Sequence, residues 1–149
     1  MKIIISHDVD HIAPWEHRKS LFVFKHVVRS FIELGCASIS VGEMASRFRE
    51  VAANKWNNID ELMEFDACHG IPSTFFVAVE NGRDLDYSLD VSKFWTRRIR
   101  DKGFDVGVHG IACEDPSGIF HECAAFREAA GIDAFGVRVH DIGVRAGDV

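Results

Sequence analysis

Short apolar runs alternate along this chain with longer amphipathic segments. The runs are rich in Ile, Val and Phe, which is typical of buried strands; they cover residues 1–6, 75–79, 104–108 and 135–139. Capping residues and helical periodicity predict helices over 21–34, from Asn57 or Asn58 to Gly70, from Ser88 to near Gly103, and through Phe120 to Gly131. Strands separated by helices of about a dozen residues predict βα units and an α/β fold with a parallel sheet or barrel.

The segment 21–34 is the most apolar helical stretch of the chain. Polar residues recur on one of its faces, and large apolar residues take the other, namely Leu21, Phe24, Val27, Val28, Phe31 and Ile32. This pattern predicts an amphipathic helix whose apolar face packs against a core, and it does not favour a membrane span.

Composition is that of an ordinary globular chain. With 149 residues we expect one domain. The net charge of −6, from 17 basic and 23 acidic residues, does not indicate a nucleic-acid-binding surface. The four cysteines form no C-x-x-C pair, which favours a reduced compartment. Asp8 and Asp10 interrupt the apolar N-terminal run, so no signal peptide is predicted, and a cytoplasmic location is expected.

Polar side chains with catalytic or metal-binding potential follow three of the predicted strands. They form the pairs Asp8 and Asp10, His109 and Cys113, and Arg138 and His140. If the sheet is parallel, all three strand ends lie at one edge, which is where parallel α/β folds place their active sites. Carboxylate, imidazole and thiolate are ligands that zinc accepts.

The order of motifs resembles the polysaccharide deacetylase family, also called carbohydrate esterase family four. The matching segments are S-H-D-V-D-H, P-S-T-F-F-V, G-F-D-V-G-V-H-G and G-V-R-V-H, between about residues 2 and 140. The resemblance implies a distorted, incomplete (β/α) barrel. It also implies hydrolysis of acetyl groups from carbohydrate, at carbon–nitrogen bonds in N-acetylated sugars, with a divalent metal.

The resemblance assigns roles residue by residue. Asp8 matches the catalytic base, and Asp10 matches the first metal ligand. His109 matches the first histidine of the family's H-x-x-x-H motif, another metal ligand. Arg138 matches the arginine that supports the base and lines the groove.

Two departures from the family pattern matter. Cys113 stands where the family has its second metal-binding histidine; as a thiolate ligand it would favour zinc, and as a free thiol it would be a small core residue. His11 and His140 are the auxiliary candidates, either for the missing nitrogen ligand or, for His140, as the acid.

The second departure is that the resemblance to the family ends soon after the segment G-V-R-V-H. Domain 1–149 is therefore expected to be deacetylase-like but incomplete on its C-terminal side, with open sheet edges that invite self-association. Together with Cys113, this departure keeps an alternative open, in which a degenerate or fragmentary deacetylase domain binds carbohydrate or a partner without turnover.

A phosphatase of the haloacid dehalogenase type is a further alternative, since it also begins with an apolar strand and D-x-D. That family has Thr or Val two places after the second Asp, where this chain has Ile12, and Ser or Thr at the end of the second strand, where it has Val79 and Glu80.

Overall fold

The computed structural model of this protein describes residues 5–19, 21–80, 87–112 and 115–139. In chain order its elements are strand β1 (Ile5–Val9), a 3-10 helix (Pro14–Lys19), helices α1 (Phe22–Gly35), α2 (Val41–Ala52) and α3 (Ile59–His69), strand β2 (Ser73–Val77), helix α4 (Leu89–Asp101), strand β3 (Asp105–Gly110), helix α5 (Pro116–Ala130) and strand β4 (Gly136–Val139). The chain divides into two compact units, one formed by the residues up to Asp10 and from Asn58 onward, the other by His11–Asn57.

The first unit contains a parallel sheet, as the alternation of strands and helices predicts. Within the described residues four strands pair in the order β1-β2-β3-β4, each parallel to the next. In this sheet each strand lies beside the one that precedes it in the chain. When such strands are joined by right-handed crossovers, the connecting helices all lie on one face of the sheet. The sheet accordingly curls like half of a barrel, which leaves its other face concave.

The core of this unit lies between the sheet and its helices. Alternate strand residues point to this side, and Phe75, Val77 and Val108 are fully buried there. The helices of this unit contribute the buried residues Met63, Ile99 and Phe126. The next residues along the strands, such as Asp8 and Phe76, therefore point to the concave face.

A buried polar network fixes β1 to α3 on the core side. The Nε2 atom of His7 lies 2.8 Å from Oδ2 of Asp66, and the Ser73 hydroxyl donates to the same oxygen at 2.6 Å. Burial alone would raise the pKa of Asp66, but the hydrogen bonds from Ser73 and His7 lower that pKa below its ordinary value. Asp66 therefore holds the strand that carries Asp8.

Most predicted helix ends are confirmed by local geometry. The Ser88 side chain accepts a hydrogen bond from the Val91 amide at the start of α4. Gly70 and Gly131 end α3 and α5 in the left-handed conformation that glycine adopts without strain. Asn58 occupies the N-cap position of α3, but its side chain makes no capping hydrogen bond.

In the second unit the expected orientation of α1 is wrong. The face that was expected to enter a core is exposed, with Phe24 65% exposed, whereas Ser30 on the opposite side is fully buried. The inward face carries polar residues that interact with α2, because Arg47 lies 2.6 Å from a carboxylate oxygen of Glu33. Hydrophobic periodicity identifies two faces of a helix, but it does not state which one meets the neighbouring helix.

Helix α2 is an element that the apolar pattern does not predict. Its N-terminus is capped by the Ser40 side chain, which accepts a hydrogen bond from the Glu43 amide at 3.1 Å. Ser40 and Glu43 form the S-x-x-E signature of a helix start, and this signal could have identified the helix.

None of the helices in the described ranges combines the length and the hydropathy that crossing a membrane requires.

Candidate functional site

The register of the parallel strands assembles the candidate site on the concave face. Asp8 of β1 pairs with Phe76 of β2, Phe76 with Gly107 of β3, and Gly107 with Gly136 of β4. Residues in register point to the same face of a parallel sheet. His109 and Arg138 are also in register with each other, two residues further along β3 and β4, and so share that face.

Asp10 and His109 meet at the ends of β1 and β3. The Oδ1 atom of Asp10 lies 3.0 Å from Nε2 of His109, with the imidazole only 2% exposed and the carboxylate 42% exposed. Strand β2 lies between these two strands, so the contact between Asp10 and His109 reaches across β2 on the concave face. The structure thus brings together the two residues to which the resemblance assigns metal ligation.

The donor atoms of Asp10 and His109 are of the type that binds a divalent cation. A carboxylate oxygen and an imidazole nitrogen at about 2.0–2.2 Å from one tetrahedral ion lie roughly 3.3 Å apart, close to the separation between Asp10 and His109. In number the fit is partial, because among the described residues no group of three or more His, Cys, Asp or Glu side chains is placed to hold a metal ion. Catalytic zinc sites usually have three protein ligands.

Asp8 and Arg138 form the second pair of the site. Arg138 Nε lies 3.2 Å from Oδ2 of Asp8, and Arg138 Nη1 donates to the Ser6 hydroxyl at 2.5 Å. Because β1 and β4 are the outer strands of the described sheet, this arginine spans the concave face. Asp8 is about one third exposed in the pair, so its carboxylate remains accessible to water.

Phe76 forms the floor beneath this ion pair, a feature that the sequence motifs do not single out. Its ring lies over the two glycines in register with it, so that a Cβ atom added to Gly107 would come within 2.7 Å of the ring and one added to Gly136 within 3.4 Å. The guanidinium carbon of Arg138 lies over the ring, 6.0 Å from its centre. The two glycines therefore leave the space that the Phe76 ring occupies on the concave face.

Glu122 of α5 holds the backbone that leaves β3 after His109. Its carboxylate is buried and accepts hydrogen bonds from the Ile111 amide, at 3.0 Å, and from the Ala112 amide, at 3.0 Å. Burial raises the pKa of this carboxyl group, and the two amide hydrogen bonds offset part of that rise. The pattern of alternating strands and helices offers no signal for this contact, because Glu122 occupies an ordinary position on an amphipathic helix.

Tyr87 fixes the end of β1 immediately before Asp10. Its hydroxyl donates to the Val9 carbonyl at 2.7 Å and accepts from the Ala78 amide at 2.7 Å. The Ser92 hydroxyl also donates to the Ala78 carbonyl. The carboxyl ends of β1 and β2 are therefore joined by a buried side chain that was not among the candidate site residues.

The remaining three candidates are His11, Cys113 and His140. Cys113 and His140 lie outside the described residues, so their predicted roles stay predictions. His11 belongs to the second compact unit, where its Nδ1 atom lies 3.1 Å from Nε2 of the buried His17.

Comparison of the chain with known protein families, with curated proteins and with solved structures finds no match. Site geometry and the motif resemblance are therefore what point to a function.

Proposed function

We propose that this protein is a metal-dependent hydrolase that removes acetyl groups from N-acetylated carbohydrate. The observation that carries the proposal is the contact between Asp10 and His109, 3.0 Å apart at the ends of parallel strands. The accompanying Asp8–Arg138 pair supplies a carboxylate on the same face. The acetylated sugar as substrate comes from the motif resemblance to polysaccharide deacetylases.

Asp10 and His109 would hold the divalent cation. When bound, such a cation makes a water molecule acidic near neutral pH and offsets negative charge on an acetyl oxygen. The proposed ligands are an oxygen and a nitrogen donor, which suits zinc among other divalent metals. Cys113, the proposed third ligand, would increase the preference for zinc.

Asp8 acts as the general base in this proposal. Its carboxylate takes a proton from water while the water oxygen bonds to the acetyl carbon, and the carbon–nitrogen bond then breaks to give acetate and the free sugar amine. Arg138 holds the Asp8 carboxylate through a charge-assisted contact, and its own bond to the Ser6 hydroxyl fixes the guanidinium. The departing amine needs a proton, for which His140 is the candidate donor.

The alternative function is carbohydrate binding without turnover. The observation that favours it is the number of ligands. Among the described residues, no third His, Cys, Asp or Glu side chain is grouped with Asp10 and His109 to hold a metal ion. Two protein ligands hold a cation more weakly than three, and a site with low occupancy would hydrolyse little substrate.

Metal content and acetate release test the proposal together. The wild type is compared with Asp10→Ala and His109→Ala, and with the matched controls Asp133→Ala and His69→Ala, whose parent residues are exposed. We expect about one zinc per wild-type chain, loss of zinc in the two site variants, and wild-type content in the controls.

Acetate release from N-acetylglucosamine oligosaccharides should follow the zinc content. Metal that is absent from the wild type, or unchanged in both site variants, would overturn the metal site. Zinc binding with saccharide binding but no acetate would favour the binding function over hydrolysis.

A further inference from the structure

Helix α1 exposes an apolar stripe that includes the residue immediately before the helix. Its members are exposed to between 40% and 65%, and they are Leu21, Phe24, Val28, Phe31 and Ile32. The opposite side of the helix packs within its own unit, where Ser30 is fully buried and Glu33 pairs with Arg47 of α2. The apolar face of this amphipathic helix is therefore directed away from its own unit's interior.

The spacing of the stripe is that of a helix-pairing surface. Leu21, Phe24, Val28 and Phe31 are separated by three, four and three residues, the alternation that packs the side chains of one helix between those of another. Gly35 continues the series, and nothing lies within 4 Å of the position where its Cβ would be. A helix face with this repeat can pack against the same face of a second helix.

The exposed area is of the size that a dimer requires. Phe side chains each bring about 150–250 Å² to an interface, and five large side chains at these exposures leave on the order of 500 Å² uncovered, near the upper end for apolar patches on monomers. Pairing two copies would bury about 1,000 Å² of apolar surface alone, which reaches the lower limit for specific interfaces.

Charge favours a protein partner over a lipid surface. A helix that lies on an anionic bilayer is usually rich in Lys and Arg. Beside the stripe lie Lys25 and Arg29, and Arg29 is paired with Glu33 at 2.6 Å. Helix α1 itself, with Lys25, Arg29 and Glu33, carries a net charge of only +1, which gives a weak attraction to anionic headgroups.

We propose that a second copy of this chain covers the α1 stripe, so that two copies pair through their α1 helices about a twofold axis. A closed twofold pairing uses the same patch on both copies. This interface is distinct from pairing through the sheet edges, because it uses a helix face of the second compact unit.

The oligomeric state of the full chain tests this proposal by sedimentation velocity over a range of concentrations. The double variant Phe24→Glu/Phe31→Glu places carboxylates in the stripe, and Phe94→Glu/Phe120→Glu is the matched control, since those two phenylalanines are also exposed but lie on α4 and α5. We expect a wild-type dimer and an increase of at least about 100-fold in the dimer dissociation constant of the stripe variant, because it buries charge in an apolar contact. The control should keep the wild-type value.

An engineered cysteine locates the interface independently. In a background with the native cysteines replaced by serine, Val28→Cys lies at the middle of the stripe. A twofold axis through the centre of the stripe places this position beside its symmetry mate. We expect rapid disulfide formation for Val28→Cys and none for Phe94→Cys, because a disulfide needs Cα atoms about 4.4–6.8 Å apart. Circular dichroism confirms that each variant is folded.

Three results would overturn the proposal. These are a wild type that stays monomeric at all concentrations, a dimer that the stripe variant leaves intact, and a monomer that binds phosphatidylserine vesicles through the stripe.

Discussion

Arg138, on one outer strand of the described sheet, lies 3.2 Å from the carboxylate of Asp8 on the other outer strand. In a flat sheet neighbouring strands are about 4.8 Å apart, so three such intervals would exceed the reach of an arginine side chain. The contact therefore depends on the curl of the sheet. It also links the two outer strands of the described sheet across the concave face that carries the candidate site.

The first prediction concerns the proposed base. Asp8→Asn keeps the shape of the side chain but removes its ability to take a proton, so acetate release should fall by about 10²–10⁴-fold. Zinc content should stay at the wild-type level, because Asp10 and His109 are unchanged. Arg138→Lys should give a smaller loss, with the exposed Arg127→Lys as its control. Full activity in Asp8→Asn, measured by acetate release, would remove Asp8 from the mechanism.

A second prediction contrasts two glycines. A Cβ at Gly107 would come within 2.6 Å of the Gly136 carbonyl oxygen and within 2.7 Å of the Phe76 ring. Gly107→Ala should therefore lower the free energy of unfolding by about 1–3 kcal/mol. Gly42→Ala, inside α2 with only Ser40 Oγ at 3.7 Å, should raise it by up to about 1 kcal/mol. Denaturant unfolding measures both, and equal stability of the two variants would contradict the packing of Phe76 on Gly107.

The third prediction is an acid dependence that comes from Asp66. Although burial opposes it, hydrogen bonds from Ser73 and His7 place the pKa of Asp66 below its ordinary value of 3.8. A carboxyl group with a lowered pKa in the folded state contributes stability above its unfolded pKa, and this contribution is lost as the pH falls through the folded value.

Asp66→Asn should therefore cost about 1–3 kcal/mol at neutral pH. The difference from the wild type should shrink below about pH 4. Denaturant unfolding between pH 3 and pH 7 measures it, with the exposed Asp133→Asn as control. A difference that grows on acidification would mean that Asp66 is not held as a carboxylate.

The fourth prediction concerns Glu122, whose contribution to stability should change with pH in the direction opposite to that of Asp66. Burial raises the pKa of Glu122 above its ordinary value of 4.5, so the folded chain binds this proton more tightly than the unfolded chain does. The contribution of Glu122 to stability should therefore decrease as the pH rises from about 4.5 through the raised value. Glu122→Gln should remove this pH dependence while it keeps an acceptor for the amides of Ile111 and Ala112.

Glu122→Ala should be more harmful, because it leaves both amides without their acceptor at a cost of about 1–3 kcal/mol each. Unfolding of wild type, Glu122→Gln and Glu122→Ala at pH 4 and pH 8 separates the two effects. Identical pH profiles for the wild type and Glu122→Gln would show that the titrating group lies elsewhere.

Local features of the chain predicted most of the elements. The strand at 104–108 and the helix that begins at Ser88 follow from side-chain pattern and capping, and glycine at Gly70 and Gly131 ends helices by its backbone freedom. The parallel sheet follows from the alternation of strands with helices. The strand runs, the caps and the helix-ending glycines are readable from sequence because each depends on residues near it in the chain, and the parallel sheet is readable from the order of these elements.

Sequence alone therefore determined the α/β alternation, the parallel sheet and the presence of carboxylate, imidazole and guanidinium groups at strand ends. Only the tertiary structure decided that Phe76 lies on Gly107 and Gly136 and that Arg138 reaches Asp8. It also decided that Glu122 accepts hydrogen bonds from the backbone after β3, and that the apolar side of α1 faces outward. The physical reason is that these contacts depend on register, on sheet curl and on which helix face meets its neighbour. Each of these is set by packing between segments distant in the chain, and no local pattern of residues specifies them.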